Sequence, residues 1–199
     1  MSPLPRALLW DRMVEVGADI ALVDLRPDRL FAHGQAVAAE PVAHSCRYQL
    51  TTGEGFVTDT LTVESEGAGW QREVKLERSD RGWRVVTSEQ GRFGSASLPG
   101  IVDSDRLADA YDVDLEATAL TNTLPIRRLN LLGATPGTTH TVVVAWVRVP
   151  SLQVIPVEHT YSVISPEKIQ FTSGTFSAEL TVDSDGFVVT YPGYATRVD

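Results

Sequence analysis

The chain has 199 residues, a net charge of −9 and one cysteine. That length favours one domain spanning residues 1–199, able to bury roughly 70% of its unfolded surface without staples. A lone Cys46 excludes an internal disulfide framework, and the acidic balance repels phosphate backbones, which argues against nucleic acid as a partner.

The opening "MSPLPRALLWDRMVEV" carries too short an apolar run for a signal peptide, and Asp11 and Arg12 interrupt it. No apolar run approaches the ~20 residues of a membrane span, so stable membrane insertion is not expected. The reading is a soluble, cytoplasmic protein, and its oligomeric state is left open. "DIALVDL" and "QAVAAEPV" read as strands near the N-terminus.

The next stretch is clearer. "CRYQL", "FVTDTLTVES", "WQREVKLERS" and "GWRVVT" are short, rich in β-branched and aromatic residues, and bounded by turn residues. In "WQREVKLER", Trp70, Val74 and Leu76 share one face while Gln71, Glu73, Lys75 and Glu77 share the other. That alternation marks a half-buried strand. "SDRG" supplies the turn into Trp83. The four strands are expected to form an antiparallel meander.

From Gly91 to Ala110 the pattern dissolves into Gly, Ser, Pro and Asp, which predicts a long loop with a helical turn at "SDRLADAY". Then comes "DVDLEATALTNTLPIRRLNLLG", Asp112 to Gly133. Asn122 or Thr123 can cap a helix, Pro125 suits a first turn, and Gly133 suits the left-handed residue after the last turn. About nine residues of helix are expected. A strand is the alternative. In either case Arg127 and Arg128 point in different directions.

Asp112 and Asp114 form a candidate acid–base pair. On a strand, side chains two residues apart lie on one face, roughly 6–7 Å apart. That falls between the separations of retaining and inverting glycosidases. The competing reading is structural: both accept hydrogen bonds from backbone N–H groups or pair with Arg127 or Arg128, as buried charges require. The structural reading carries more weight.

The C-terminal third returns to strands. "THTVVVAWVRV" is apolar on both faces, as in a strand buried on both sides or lining an internal hollow. "PVEHTYSVIS", "IQFTSG" and "TFSAELTV" follow, and "DSDG" turns the last into "FVVTYP". Phe176, Ala178, Leu180 and Val182 alternate there with Ser177, Glu179 and Thr181. About ten or more strands are expected in all.

Other motifs fail on spacing. In "TVDSDGFVVTYP", aligning Gly186 with the glycine of a calcium loop puts Pro192 where a bidentate Glu belongs. His33, His44, His140 and His159 match no metal spacing. There is no dinucleotide fingerprint, P-loop or nucleophile elbow. No cofactor and no metal are called for.

The central segment resembles the signature of the bacterial family named "putative glycolipid-binding". Asp112, Asp114, Thr121, Asn122, Thr123, Leu124, Pro125, Ile126, Arg127, Arg128 and Leu129 carry the resemblance. Trp10, Gly17–Asp19, Trp70, Trp83, Tyr161 and "VDSDGFVVTYP" extend it more weakly. Asp19 stands where a Glu is expected, so no role is carried onto it.

The resemblance implies a strongly curved antiparallel sheet, an open or half barrel similar to lipoprotein carriers, with one or two short helices. It implies an amphiphilic ligand in the concave apolar face, and it supplies no catalytic residues. Asp112, Asp114, Asn122, Arg127 and Arg128 are then the expected partners of a polar head, with Trp146, Tyr161 and Tyr191 as stacking surfaces. Two alternatives stay open. One is a hydrolase of a glycoconjugate using Asp112 and Asp114. The other is a structural or protein-interaction domain without a ligand.

Overall fold

The computed structural model describes residues 5–14, 16–94 and 97–198. Strands β1 (Arg6–Arg12), β2 (Gly17–Leu25), β3 (Leu30–Ala38), β4 (His44–Thr52), β5 (Thr58–Gly67), β6 (Trp70–Ser79) and β7 (Gly82–Gly91) follow one another as antiparallel hairpins. After a connecting segment come β10 (Thr139–Val147), β11 (Gln153–Ser165), β12 (Lys168–Ser173), β13 (Phe176–Val182), β14 (Val188–Tyr191) and β15 (Ala195–Val198), again antiparallel. Pairing of β1 with β15 joins the two meanders into one sheet.

The connecting segment holds β8 (Gly100–Ile101), β9 (Asp112–Leu115) and helix α1 (Thr123–Arg128). β9 pairs with β10, and β8 with β11, in parallel. The sheet is therefore mixed at these two places, where an all-antiparallel sheet was expected. Parallel neighbours need a crossover of a dozen or more residues, and residues 116–138, with α1, are that crossover.

The sheet curls without closing. Thr58 N–H donates to the Tyr111 carbonyl at 3.0 Å, and Val113 N–H donates to Thr58 Oγ1 at 3.2 Å. These bonds bring β9, at one end of the strand order, against β5, third from the other end. No ladder forms there, so the curl stays open. β7 lies beyond this seam, which explains why Arg84 to Gly91 are exposed on both faces.

Alternation puts Leu8, Trp10, Ala21, Val23, Leu50, Leu61, Val63, Val74 and Leu76 on the inner face, all buried. What covers them is the connecting segment. Leu107, Leu115, Leu120, Leu124, Ile126 and Leu131 are all fully buried. Each such side chain contributes about 1.5–3 kcal/mol on burial. Much of the concave face is thus filled by the protein itself. The turn at "SDRLADAY" forms through i+3 bonds from Leu107, Ala108 and Ala110.

Some local details differ from the sequence expectations. Helical backbone begins at Leu120, because a short 3-10 turn runs directly into α1, and neither Asn122 nor Thr123 makes a side-chain cap. The left-handed residue is Asn130 (φ 52°) rather than Gly133. Asparagine tolerates that conformation better than other non-glycine residues. β10 is buried on both faces only near Val144, Ala145 and Val147, the stretch where β9 pairs along its edge. Phe176 alternates as expected but is 44% exposed.

The inner face of β6 also holds Arg72, 1% exposed, between Trp70 and Val74. Its Nε and Nη2 donate to Glu89 Oε1 at 3.0 and 2.7 Å. Its Nη1 donates to the carbonyls of Ser97 and Ser151 at 2.7 and 2.9 Å. One guanidinium thus ties β6 to β7 and to two connecting segments. Glu89 is partly exposed and can rehydrate, so the carbonyls bear most of a loss. Arg72→Met is expected to cost about 2–3 kcal/mol by urea denaturation. An unchanged midpoint would mean that water replaces these bonds freely.

Candidate functional site

The space left inside the curl is a cavity of about 530 Å³ in the C-terminal half. One side comes from β9 and the chain between it and α1: Asp114, Glu116, Thr118 and Asn122. The other comes from the inner faces of β10 to β14 and the turn after them: Trp146, His159, Phe171, Phe176, Tyr191 and Tyr194. Val14, Gly174, Thr175 and Phe176 are exposed and mark the mouth, while Thr118, Asn122 and His159 are buried and mark the depth.

Strand parity assembles the aromatic side. His159 and Tyr161 are two apart on β11, and Tyr161 pairs with Phe171 of β12. His159 meets Phe171 edge-on at 4.9 Å, Phe171 meets Tyr191 at 5.8 Å, and Tyr191 meets Tyr194 at 4.7 Å. Such ring pairs add to their area burial. Trp146 lies opposite Asp114 across the β9–β10 pair.

The opening acids part company. Asp112 is fully buried and gripped by Arg128, whose Nε and Nη2 reach its two oxygens at 3.0 and 2.6 Å. This fork ties the start of β9 to the end of α1. Burial pushes the Asp112 carboxyl up, and the guanidinium pulls it partly back. Asp114 Oδ1 instead accepts from Thr121 Oγ1 at 2.8 Å, and its Oδ2 lies 3.8 Å from His159 Nε2. Burial holds the His159 imidazole below its usual range, so it is neutral near pH 7.

Of the residues expected to touch a ligand, Asp114, Asn122, Trp146 and Tyr191 come together around the cavity. Tyr161 is one layer behind, buried, its hydroxyl donating to Asn122 Oδ1 at 3.2 Å. Asp112 and Arg128 form the fork just described. Arg127 points elsewhere, with its guanidinium 5.0 Å from the Phe56 ring centre.

Sequence reasoning did not single out Glu116, Thr118, Phe171, Phe176 or Tyr194, and it considered His159 only as a metal ligand. The period-2 pattern of "PVEHTYSVIS" could have placed His159 beside Tyr161. Glu116 Oε2 accepts the Val149 N–H at 2.7 Å, and burial pushes its carboxyl up.

Beneath the cavity lies a buried polar knot. Asp19, 1% exposed, accepts from Tyr48 Oη at 3.0 Å and from the Thr118 hydroxyl. Tyr48 reaches it across Gly34, where an added Cβ would fall 2.3 Å from the Tyr48 ring. Burial pushes the Asp19 carboxyl up to about 7, against the pull of Thr118, Tyr48 and Arg12. Cys46 nearby is buried, and its thiol is pushed up to about 12, so it is no nucleophile. Among the described residues no group of three or more His, Cys, Asp or Glu could hold a metal ion. No helix among them is long and apolar enough to cross a membrane.

Comparison with known proteins agrees with this architecture. Residues 7–197 match the family described as "Putative glycolipid-binding". The crystal structure of a DUF1089 family protein from Pseudomonas aeruginosa is similar, with a TM-score of 0.68 at 21% identity, over 90% of this chain and 92% of that one. That likeness concerns the fold. No curated protein matches the chain.

Proposed function

This chain belongs to the family described as "Putative glycolipid-binding", and we propose that it binds an amphiphile, a glycolipid, in the aromatic cavity without chemical change. The observation that carries this reading is a half-open cavity of about 530 Å³ with an aromatic side and a buried polar side. Its size lies within the usual range for small-molecule sites. The filled inner face leaves no long trough, so the cavity takes the head and the first part of a chain. The rest of the chain leaves past Phe176 and Val14. Each buried methylene contributes about 0.8 kcal/mol, part of which offsets immobilisation.

Binding is favoured over hydrolysis because Asp112 is sequestered by Arg128 and does not reach the cavity. Asp114 remains there, already bonded to Thr121. Native mass spectrometry of the protein purified from its own host is expected to show a co-purifying amphiphile. Recovery of bare protein only, together with no affinity for added alkyl glycosides, would sink the proposal.

The mouth offers a cleaner mutation. Phe176 is largely outside the core, so Phe176→Ala is expected to weaken alkyl glycoside binding about five- to tenfold, on the order of 1 kcal/mol. The melting temperature should hardly move. Equal affinity in the variant would place the ligand elsewhere.

A further inference from the structure

The charged groups that line the cavity are all of one sign. They are Asp114 and Glu116. Three guanidiniums stand behind the lining: Arg128 holds Asp112, Arg12 donates to the Glu116 carbonyl and lies over the Tyr194 ring, and Arg148 lies over the Trp146 indole, the last two offsetting part of the Glu116 charge. None of the three lines the cavity. Carboxylates accept hydrogen bonds and do not donate. A head seated against them must donate, and an anionic head would face two like charges in a partly desolvated space.

A second observation points to hydroxyls rather than a plain cation. His159 lines the cavity with its side chain 4% exposed. Its Nδ1 is buried and has no hydrogen-bond partner among the described residues. A turn of the ring would bring this nitrogen to the cavity, where a hydroxylated head offers it a partner and a trimethylammonium does not. The aromatic side supplies apolar faces for the C–H surface of a sugar ring.

From these two observations we infer that the cavity selects an uncharged, polyhydroxylated head, and rejects phosphate, sulfate and carboxylate heads. This rests on the binding reading above and narrows its ligand. The test uses the full chain and three probes with the same eight-carbon tail: octyl glucoside, octyl sulfate and octyltrimethylammonium. Each is titrated by calorimetry below its micelle threshold.

Octyl glucoside is expected to bind about tenfold or more tightly than either charged probe. Octyl sulfate matching it would overturn the selection by charge. Octyltrimethylammonium binding most tightly would make the site a cation cage and overturn the selection for hydroxyls. Equal affinity for all three would leave binding in place and remove head selection. No binding by any probe would sink the binding reading itself.

The double variant Asp114→Asn, Glu116→Gln is expected to gain octyl sulfate affinity about tenfold. Should it fail to fold, Glu116→Gln alone is expected to gain several-fold. No gain in a folded variant would overturn the charge argument.

Discussion

Replacing Arg128 with alanine is expected to lower folding stability by about 3–5 kcal/mol, the cost of breaking a buried ion pair from one side. Asp112 has no exposed surface, and Arg128 is its sole side-chain hydrogen-bond partner among the described residues. Without the guanidinium the carboxyl either stays charged in an apolar setting or takes up a proton. Both options cost free energy at pH 7. At pH 5 protonation is cheaper, so the penalty should shrink. Arg128→Lys keeps the charge and loses the two-pronged geometry, so an intermediate loss is expected. Urea denaturation at both pH values checks this. A loss under about 1 kcal/mol for the alanine variant would show that the fork contributes no more than a surface pair.

Substituting Asp19 by asparagine is expected to make the protein relatively more stable as pH rises. The folded-state carboxyl is raised from 3.8 to about 7, so the native protein binds the proton more tightly than the unfolded chain. The stability this adds is fully present below about pH 4 and is lost as pH climbs towards 7. Above that, the native state holds a buried carboxylate whose retention costs on the order of 4 kcal/mol, at about 1.4 kcal/mol per pKa unit. The amide of the variant does not titrate in this range. The stability difference between variant and parent should therefore move in favour of the variant between pH 4 and 8. Taking the difference cancels the carboxylates common to both, including Asp183, which Arg197 and two backbone N–H groups hold low against burial. A difference that stays flat across this range would mean that Asp19 is ionised at its ordinary value.

Legibility in the sequence followed the range of the interactions involved. The hairpin of β6 and β7 could be read directly, because alternation and the Ser79–Gly82 turn are local. β1 was missed, since "RALLWDR" carries apolar residues on both parities with Leu9 facing out at 39% exposure. β15 is four residues long, and its longer pairing is with β1, more than 180 residues away in the chain. Asp19 had a readable signal that was passed over. It shares the parity of Ala21 and Val23, an acid on an otherwise apolar inner face.

The amino-acid sequence by itself determined the strand parities, the helical turn around Pro125 and the family signature, because each depends on residues a few positions apart. It also put acids and arginines close enough that a buried pair could form. Which acid pairs and which faces the cavity was decided only by tertiary structure. The curl of the sheet brings β9 against β5 and folds the connecting segment into the concavity. That packing buries Asp112 under Arg128 and turns Asp114 towards His159, which lies 45 residues further along the chain. The size of the cavity is decided the same way, as the volume that the inserted segment leaves unfilled.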